Sequence, residues 1–180
     1  SPKEILHRVD GDKVFKLLGI GEQHVLFSIH EDNGELKIEF LNLSPSKEII
    51  KIVKAHVTEW FDLETDLAPF YRLARKDDLL KNLVRRFHGY RIIGQPDLFE
   101  SLVWAVLGQQ INLSFAYTLK QRFVEQFGKQ IEWNGHVYYQ FPSIDRVATL
   151  THDDLLPLQF SRQKSNYTVL IAQAFLQGDV

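Results

Sequence analysis

Short runs of β-prone residues, separated by polar turns, occupy the first 46 residues of the chain. In the third run Leu36, Ile38 and Phe40 alternate with charged residues, so one face of that strand is predicted to be wet. Asn33-Gly34 precedes this run and is a dipeptide that favours a two-residue hairpin turn. The three runs comprise residues 14–20, 25–29 and 36–41. The pattern therefore predicts a small antiparallel sheet.

A helical spacing of apolar residues replaces this alternation after Ser46. Between Ser46 and Phe61 the apolar residues recur as on one face of an amphipathic helix. This helix is expected to cover the sheet, because its apolar stripe needs a partner. From Asp62 onward the chain is predicted to be mainly helical. We therefore predict an α+β fold, with an N-terminal α+β domain over residues 1–62 and a helical domain over residues 63–180.

Two helices joined by a short polar elbow are predicted within residues 96–128. Asp97 is placed to cap the first helix, with Glu100 three positions later as in a capping box. Residues 98–107 contain only two polar side chains, which predicts a helix that passes through a core. The second helix is more one-sided, and Gly128 stands at the position where a left-handed glycine commonly ends a helix.

The elbow contains side chains that packing does not explain. It consists of Gly108 followed by Gln109, Gln110, Ile111 and Asn112. Amide side chains both donate and accept hydrogen bonds, so they suit base edges or the space left by a displaced base. A solvated helix end is the alternative interpretation. The residue types alone leave both interpretations open.

A second candidate site lies at the predicted start of the last helix. If Ser161 is the N-cap, Arg162 and Lys164 fall in a first turn where the helix dipole disfavours cations. Such a turn becomes favourable when an anion such as phosphate docks there. Ordinary surface charge is the alternative, and it applies equally to the basic stretch at residues 85–91.

Caps and turns divide the remaining chain. Asp66 and Asp77 are placed to cap two helices before the elbow. Asn134-Gly135 predicts a second hairpin within residues 131–139. Two short helices are predicted to begin near Ser143 and Thr151.

The composition narrows the possible partners. With 180 residues and a formal net charge of -2 the chain has no global basic excess, so a nucleic-acid partner requires a local patch. Cysteine is absent and the histidines have no metal-ligand spacing, so neither a metal nor a cofactor is expected. No secretory signal and no membrane-spanning run is recognised, and a cytoplasmic location is expected.

The residues around the elbow resemble a known family. The segment FESLVWAVLGQQINLSFAYTL, at residues 99–119, resembles the helix-hairpin-helix DNA glycosylases of the 3-methyladenine DNA glycosylase II type. Their pattern is D-x-F-E, an apolar helix, G-Q-Q or G-Q-L, and a second helix with spaced alanines. The likeness covers essentially the whole chain and extends to residues 61–67, 89–92, 127–128, 141–142 and 162–164.

The resemblance implies a small sheet domain followed by a helical region that forms one wall of a DNA-binding cleft. Carried over by position, Gln110 would be the wedge pushed into the duplex where the damaged nucleotide has swung out, with Gln109 and Ile111 beside it. Some members have leucine at the wedge, so a glutamine implies hydrogen bonding to the orphaned base. Gln159 stands where members often have glycine.

The resemblance also implies parts that this chain lacks. The helix-hairpin-helix and the aspartate that supports cleavage of the C1′–N bond would follow Val180, and a first segment would precede Ser1. The fold is therefore expected to be an incomplete helix-hairpin-helix glycosylase fold. No catalytic residue is assigned within the chain, and the fragment is expected to be inactive by itself. The aspartate would act electrostatically on a developing oxocarbenium ion.

The leading hypothesis is a monofunctional DNA N-glycosylase, a hydrolase that excises alkylated purines such as 3-methyladenine as the first step of base-excision repair. Its expected partner is double-stranded DNA containing alkylated bases, with the protein a monomer that does not contact membranes. The first alternative is a non-catalytic DNA-binding module of a repair or regulatory protein. The second is an α+β domain with unrelated partners.

Overall fold

The computed structural model describes residues 3–180. The strands in this part of the chain are β1 (His7–Asp10), β2 (Lys13–Ile20), β3 (Gln23–Asp32), β4 (Glu35–Phe40), β5 (Lys129–Trp133) and β6 (His136–Gln140). The helices are α1 (Lys47–Trp60), α2 (Ala68–Ala74), α3 (Leu80–Arg86), α4 (Leu98–Gly108), α5 (Leu113–Phe127), α6 (Ile144–Ala148), α7 (His152–Leu155) and α8 (Arg162–Gln177). A 3₁₀ turn at Leu156–Leu158 lies between α7 and α8.

These elements form two compact units. One consists of Ser1–Ile49 together with Asp97–Val180, and the other of Ile50–Pro96. A small antiparallel sheet near the start of the chain is followed by a mainly helical part, so the α+β class predicted from the sequence is confirmed. The predicted domain boundary between residues 62 and 63 stays a prediction.

The antiparallel sheet has the strand order β1-β2-β3-β4. Asn33 and Gly34 turn β3 into β4 with backbone φ angles of 52° and 82°, the left-handed values that a two-residue hairpin needs. Asn134 and Gly135 do the same between β5 and β6, at 47° and 74°. Both predicted hairpins are confirmed. The edge strand β1 was not predicted as a separate strand.

The hairpin β5–β6 packs against the sheet through aromatic side chains. The ring centroid of Phe15 lies 6.5 Å from that of Trp133 and 6.0 Å from that of Tyr138. Leu17 and Leu26 of the sheet are buried in the same cluster. The chain that leaves α5 is therefore held on the sheet before it continues to α6.

A second and larger core surrounds α4 and α5. Phe123 of α5 has no exposed surface, and its ring centroid lies 5.7 Å from Phe141 and 5.6 Å from Phe160. Phe99 of α4 meets Phe141 edge to face at 5.8 Å. The prediction that α4 passes through a core holds for the face that carries Phe99, whereas Leu98 at its start is 54% exposed.

The N-terminus of α4 follows the sequence prediction in one half only. The Asp97 side chain accepts a hydrogen bond of 2.9 Å from the Glu100 backbone N–H, as a cap should. The predicted return bond, in which the Asp97 backbone N–H would donate to the Glu100 carboxylate, is wrong. That carboxylate is buried and lies 3.1 Å from the Lys120 ammonium. The folded chain thus offers Glu100 a charged partner, whereas the capping box would offer it only a backbone N–H.

Lys120 therefore forms a buried ion triad with Glu4 and Glu100. Its ammonium lies 3.0 Å from Glu4 Oε2 and 3.1 Å from Glu100 Oε1, and all three side chains are 10% exposed or less. Burial alone would raise the pKa of Glu4, but the Lys120 charge and the Leu6 backbone N–H together hold the pKa of that carboxyl below its usual value. Since Glu100 lies on α4 and Lys120 on α5, the triad ties together the two helices that flank the elbow.

Gly128 ends α5 for a different reason from the one predicted. Its φ of -75° and ψ of 166° are extended, so the expected left-handed conformation is wrong. A methyl group at Gly128 would instead lie 2.3 Å from the Gln140 carbonyl oxygen and 2.6 Å from that of Val124. Glycine is needed here because β6 passes directly over the end of α5.

Gly128→Ala is expected to lower the free energy of unfolding by roughly 1–3 kcal/mol, because the added methyl group meets backbone atoms that cannot rotate away. Gly108→Ala is the matched control at the other helix end, since a methyl group there meets nothing within 4 Å. Urea unfolding followed by circular dichroism measures both values. Equal losses in the two variants would contradict the close approach at Gly128.

Lys120→Met is expected to cost about 3–5 kcal/mol of stability at neutral pH, because it removes the ammonium that pairs directly with both buried carboxylates. Once the Lys120 charge is removed, burial is expected to raise the pKa of the Glu4 carboxyl, so this carboxyl takes up a proton as the pH falls. The wild type does not gain stability in that range, so the difference should shrink between pH 7 and about pH 5. Exposed Lys129→Met is the control, expected to stay within about 0.5 kcal/mol. A pH-independent difference in urea titrations would argue against the triad.

Candidate nucleic-acid interface

The elbow between α4 and α5 has a defined backbone conformation. Gln109 leaves α4 in an extended conformation, and Gln110 is left-handed with a φ of 55°. Ile111 is half-buried against the core around α4 and α5. The Asn112 side chain then caps α5 by accepting a hydrogen bond of 2.9 Å from the Phe115 backbone N–H. Ile111 and Asn112 therefore anchor the elbow, and the two glutamines lie at its exposed end.

Gln109 and Gln110 face an open concave surface. Both residues are exposed, and with Ile111 they line one side of a cavity of about 310 Å³. The other side belongs to the start of α8, where Ser161 and Lys164 line the same cavity. The structure thus brings together the two candidate sites, which are about fifty residues apart in the sequence.

Ser161 caps α8 as predicted. Its hydroxyl oxygen accepts a hydrogen bond of 3.3 Å from the Lys164 backbone N–H. The Ser165 hydroxyl donates to the Ser161 carbonyl oxygen at 3.1 Å and lies 3.0 Å from His152 Nδ1. Hydrogen bonds at Ser161 and Ser165 therefore hold the first turn of α8 in place. The backbone N–H groups of Arg162 and Gln163 have no intrahelical acceptor, as at every helix start.

Lys164 reaches across the cavity wall to the end of α4. Its ammonium donates hydrogen bonds to the carbonyl oxygens of Val106, Leu107 and Gln109, at 2.8, 2.9 and 2.8 Å. Partial burial lowers the pKa of Lys164. The dipole at the N-terminus of α8 disfavours a cation there. The Lys164 ammonium instead lies at the C-terminus of α4, where the helix dipole favours a positive charge. The prediction that Lys164 contacts DNA stays a prediction.

Arg162 is more exposed to solvent than Lys164. Its side chain is exposed at the first position of α8. Its predicted contact with DNA also stays a prediction. Within the basic stretch at residues 85–91, by contrast, the Arg91 guanidinium donates to the backbone carbonyl oxygens of Asp62 and Thr65. That arginine has a structural role in its own unit.

Gln159 precedes this turn in a conformation that favours glycine. Its φ is 69°, and its side-chain oxygen accepts a hydrogen bond of 2.6 Å from Arg122 Nη1. The left-handed backbone explains why glycine would suit this position, where the sequence resemblance has it in many members. The hydrogen bond to α5 gives the glutamine a partner that compensates for the conformation.

Two residues that line the cavity were not predicted as site residues, namely Gln163 and Tyr167. Gln163 lies between the two predicted cations, and Tyr167 follows it by four positions, so both lie on one face of α8. Tyr167 is 49% exposed. The helical spacing could have identified Tyr167 once Gln163 was assigned to the site.

Two classes of site are missing from the described range, residues 3–180. No group of three or more potential ligands is arranged there to hold a metal ion. None of the helices within that range is both apolar enough and long enough to cross a bilayer.

Comparison with protein families assigns nearly the whole chain. Residues 9–102 match the model of the 8-oxoguanine DNA glycosylase N-terminal domain. Residues 103–179, which include the elbow and α8, match the model of the HhH-GPD superfamily of base-excision DNA repair proteins. The chain belongs to the helix-hairpin-helix DNA glycosylase superfamily. The family resemblance seen in the sequence is confirmed.

Two members of the superfamily from Bacillus subtilis (strain 168) are similar in sequence. A DNA-3-methyladenine glycosylase is 45% identical over 98% of this chain and 59% of its own length. A putative DNA-3-methyladenine glycosylase, YfjP, is 28% identical over 92% of this chain and 50% of its own length. The chain therefore spans between half and three fifths of these relatives.

Solved structures of the superfamily have the same fold. The 3-methyladenine DNA glycosylase from Archaeoglobus fulgidus superimposes with a TM-score of 0.79 at 24% identity, covering 93% of this chain and 57% of that one. The 8-oxoguanine glycosylase/lyase from Clostridium acetobutylicum, solved with double-stranded DNA, gives 0.69 at 20% identity over 99% and 57% of the two chains. At these identities the likeness supports the fold alone.

Proposed function

We propose that the protein containing this chain is a DNA N-glycosylase that removes alkylated purines such as 3-methyladenine from duplex DNA. The observation that carries the proposal is the elbow: two exposed amide side chains face the cavity that the start of α8 also lines. Within a superfamily of base-excision repair proteins, this arrangement supports insertion of the elbow into a duplex. The partner proposed is therefore double-stranded DNA with an alkylated base.

Gln110 is assigned the wedge. Its left-handed backbone places it at the exposed turn of the elbow, with Gln109 before it and half-buried Ile111 after it. Flipping a nucleotide out of a duplex costs on the order of a few kcal/mol, and a side chain that fills the gap offsets part of that cost. An amide can both donate to and accept from the base left without a partner. Gln110 therefore fills the gap by hydrogen bonding.

The start of α8 is assigned a phosphate of the DNA backbone. The helix has sixteen residues, and its unpaired backbone N–H groups and dipole favour an anion near Ser161. Exposed Arg162 adds a full positive charge at the same turn. The elbow and this turn line one cavity, so a single duplex would be contacted by the wedge and by the phosphate site together.

Bond cleavage is not assigned to a residue of this chain. The lining residues Gln109, Gln110, Ile111, Ser161, Gln163, Lys164 and Tyr167 include no carboxylate. Alkylation puts positive charge on a purine and so weakens its glycosidic bond, and a nearby carboxylate stabilises the oxocarbenium ion that develops.

The choice of alkylated purines follows from the sequence relatives. The relative at 45% identity is named for 3-methyladenine, whereas the structures named for 8-oxoguanine are at 20% identity. The match of residues 9–102 to the 8-oxoguanine glycosylase domain nevertheless makes oxidised guanine a second candidate substrate. Since one fold carries both activities, the substrate has to be measured.

Incubation of the full-length protein with a duplex containing one 3-methyladenine or 1,N6-ethenoadenine is expected to produce abasic sites, scored by strand cleavage in alkali. A duplex with 8-oxoguanine opposite cytosine serves as the comparison and is expected to remain intact. Cleavage of the 8-oxoguanine duplex alone would favour the second candidate. Tight binding to the alkylated duplex without abasic sites would favour a non-catalytic DNA-binding module.

Gln110→Ala is expected to weaken binding to an abasic-site duplex by about 5–30-fold, the effect of one or two lost hydrogen bonds, and binding to undamaged duplex by less than about 2-fold. Alanine also carries a Cβ, so the left-handed backbone is not relieved and only the side chain is lost. Gln126→Ala, at an exposed glutamine of α5, is the control. Fluorescence anisotropy gives the affinities, and equal losses on both duplexes would exclude the wedge.

A further inference from the structure

The ammonium of Lys164 has its full set of hydrogen-bond acceptors inside the protein. It donates to the carbonyl oxygens of Val106, Leu107 and Gln109, each at 2.9 Å or less. An ammonium group has three N–H donors and no acceptor. A phosphate could therefore be bound only by breaking one of these bonds. The three carbonyl groups lie at the end of α4, where most carbonyl oxygens lack an intrahelical donor, although that of Val106 also accepts a 3.3 Å hydrogen bond from the Gln109 backbone N–H.

We propose that Lys164 is a positioning residue that holds the elbow in its inserting conformation and acts on DNA through Gln109 and Gln110, without contacting a phosphate itself. The inference rests on the proposed function of the elbow. It assigns to Lys164 a role different from that of Arg162, although both are cations in the first turn of α8.

The bond to the Gln109 carbonyl oxygen is the one that acts on the wedge. That carbonyl belongs to the peptide group joining Gln109 to Gln110, so the 2.8 Å hydrogen bond fixes the orientation of the peptide group. The next residue, Gln110, has a φ of 55°, a conformation that a residue with a Cβ adopts at a cost. The elbow therefore needs an outside contact to hold it, and the Lys164 ammonium supplies one.

The charge of Lys164 has a second consequence at the same place. The C-terminus of α4 carries a partial negative charge, and it lies beside the cavity that the two glutamines line. Without the ammonium, a polyanion would approach these carbonyl oxygens with no positive charge bound to them. A compact ammonium with three donors on a flexible stem can meet three carbonyl oxygens that converge on one point, a geometry that the planar fork of arginine fits less well. Lysine is therefore specifically suited to this position.

Lys164→Met and Arg162→Met in the full-length protein separate the two roles. Binding to abasic-site and undamaged duplexes is measured over a range of salt concentrations, at a temperature well below the unfolding midpoint of each variant. Lys164→Met is expected to reduce the preference for the abasic duplex by about fivefold or more and to leave the salt dependence unchanged. Arg162→Met is expected to weaken both duplexes alike and to lower the slope of log K against log salt by about 0.9, the value for one lost phosphate contact.

A double-mutant cycle with Gln110→Ala gives a readout that a purely structural role would not move. If Lys164 acts through the elbow, Lys164→Met should cause no further loss of abasic preference in a protein that already lacks the Gln110 side chain. Lys164→Gln is the second variant and keeps one amide donor for the carbonyl groups. Lys164→Gln is expected to retain part of the preference for the abasic duplex. It replaces Lys164→Met in the measurements if Lys164→Met does not fold.

The outcomes are distinct. A wild-type protein without preference for the abasic duplex would overturn the proposed wedge and, with it, this inference. A wild-type preference that survives in both Lys164 variants would overturn the inference alone. A lowered salt slope in Lys164→Met with the preference retained would identify Lys164 as a phosphate ligand and would also overturn the inference. Additive losses in the cycle would do the same.

Discussion

The candidate site depends on hydrogen-bond donors for the carbonyl groups at the end of α4, a largely buried helix. Helix α4 brings its last carbonyl groups to the elbow, where they need donors. The Lys164 ammonium provides three, from a residue 55 positions beyond Gln109 in the sequence. The same contact joins α8 to α4 and so forms the cavity that both elements line. The last carbonyl group of the elbow's first peptide therefore has its donor on α8.

Two kinds of interaction, aromatic packing and a buried ion triad, hold together the two helices that flank the elbow. Phe123 and its aromatic neighbours give the pair a dry core. The buried triad around Lys120 adds a contact that is satisfied only when Glu4 and Glu100 both reach it. A buried charge without its partners is costly, so the triad disfavours other packings of α4 against α5. A firm pair of helices is what a side chain needs if it is to be pushed into a base stack.

Superfamily membership and base specificity are separate questions for this protein. The fold is common to proteins named for 3-methyladenine and for 8-oxoguanine. In the proposed function, the elbow and the start of α8 open and hold the duplex, since they present amides, a helix N-terminus and an exposed arginine. The identity of the excised base depends on side chains that surround it after flipping. The architecture is therefore general, and the amide pair is the means of filling the gap that we propose for this chain.

The sequence by itself determined the features that depend on neighbours a few residues away. The Asn-Gly turns, the caps at Asp97 and Ser161 and the apolar spacing of the helices all form where the pattern predicts them. Only the tertiary structure decided the partners of Glu100 and Lys164 and the need for glycine at position 128. Those depend on groups from other elements, as in the bond between Lys120 and Glu4, which are 116 residues apart. A local pattern cannot encode them, because their energies come from burial and from atoms that meet only in the folded chain.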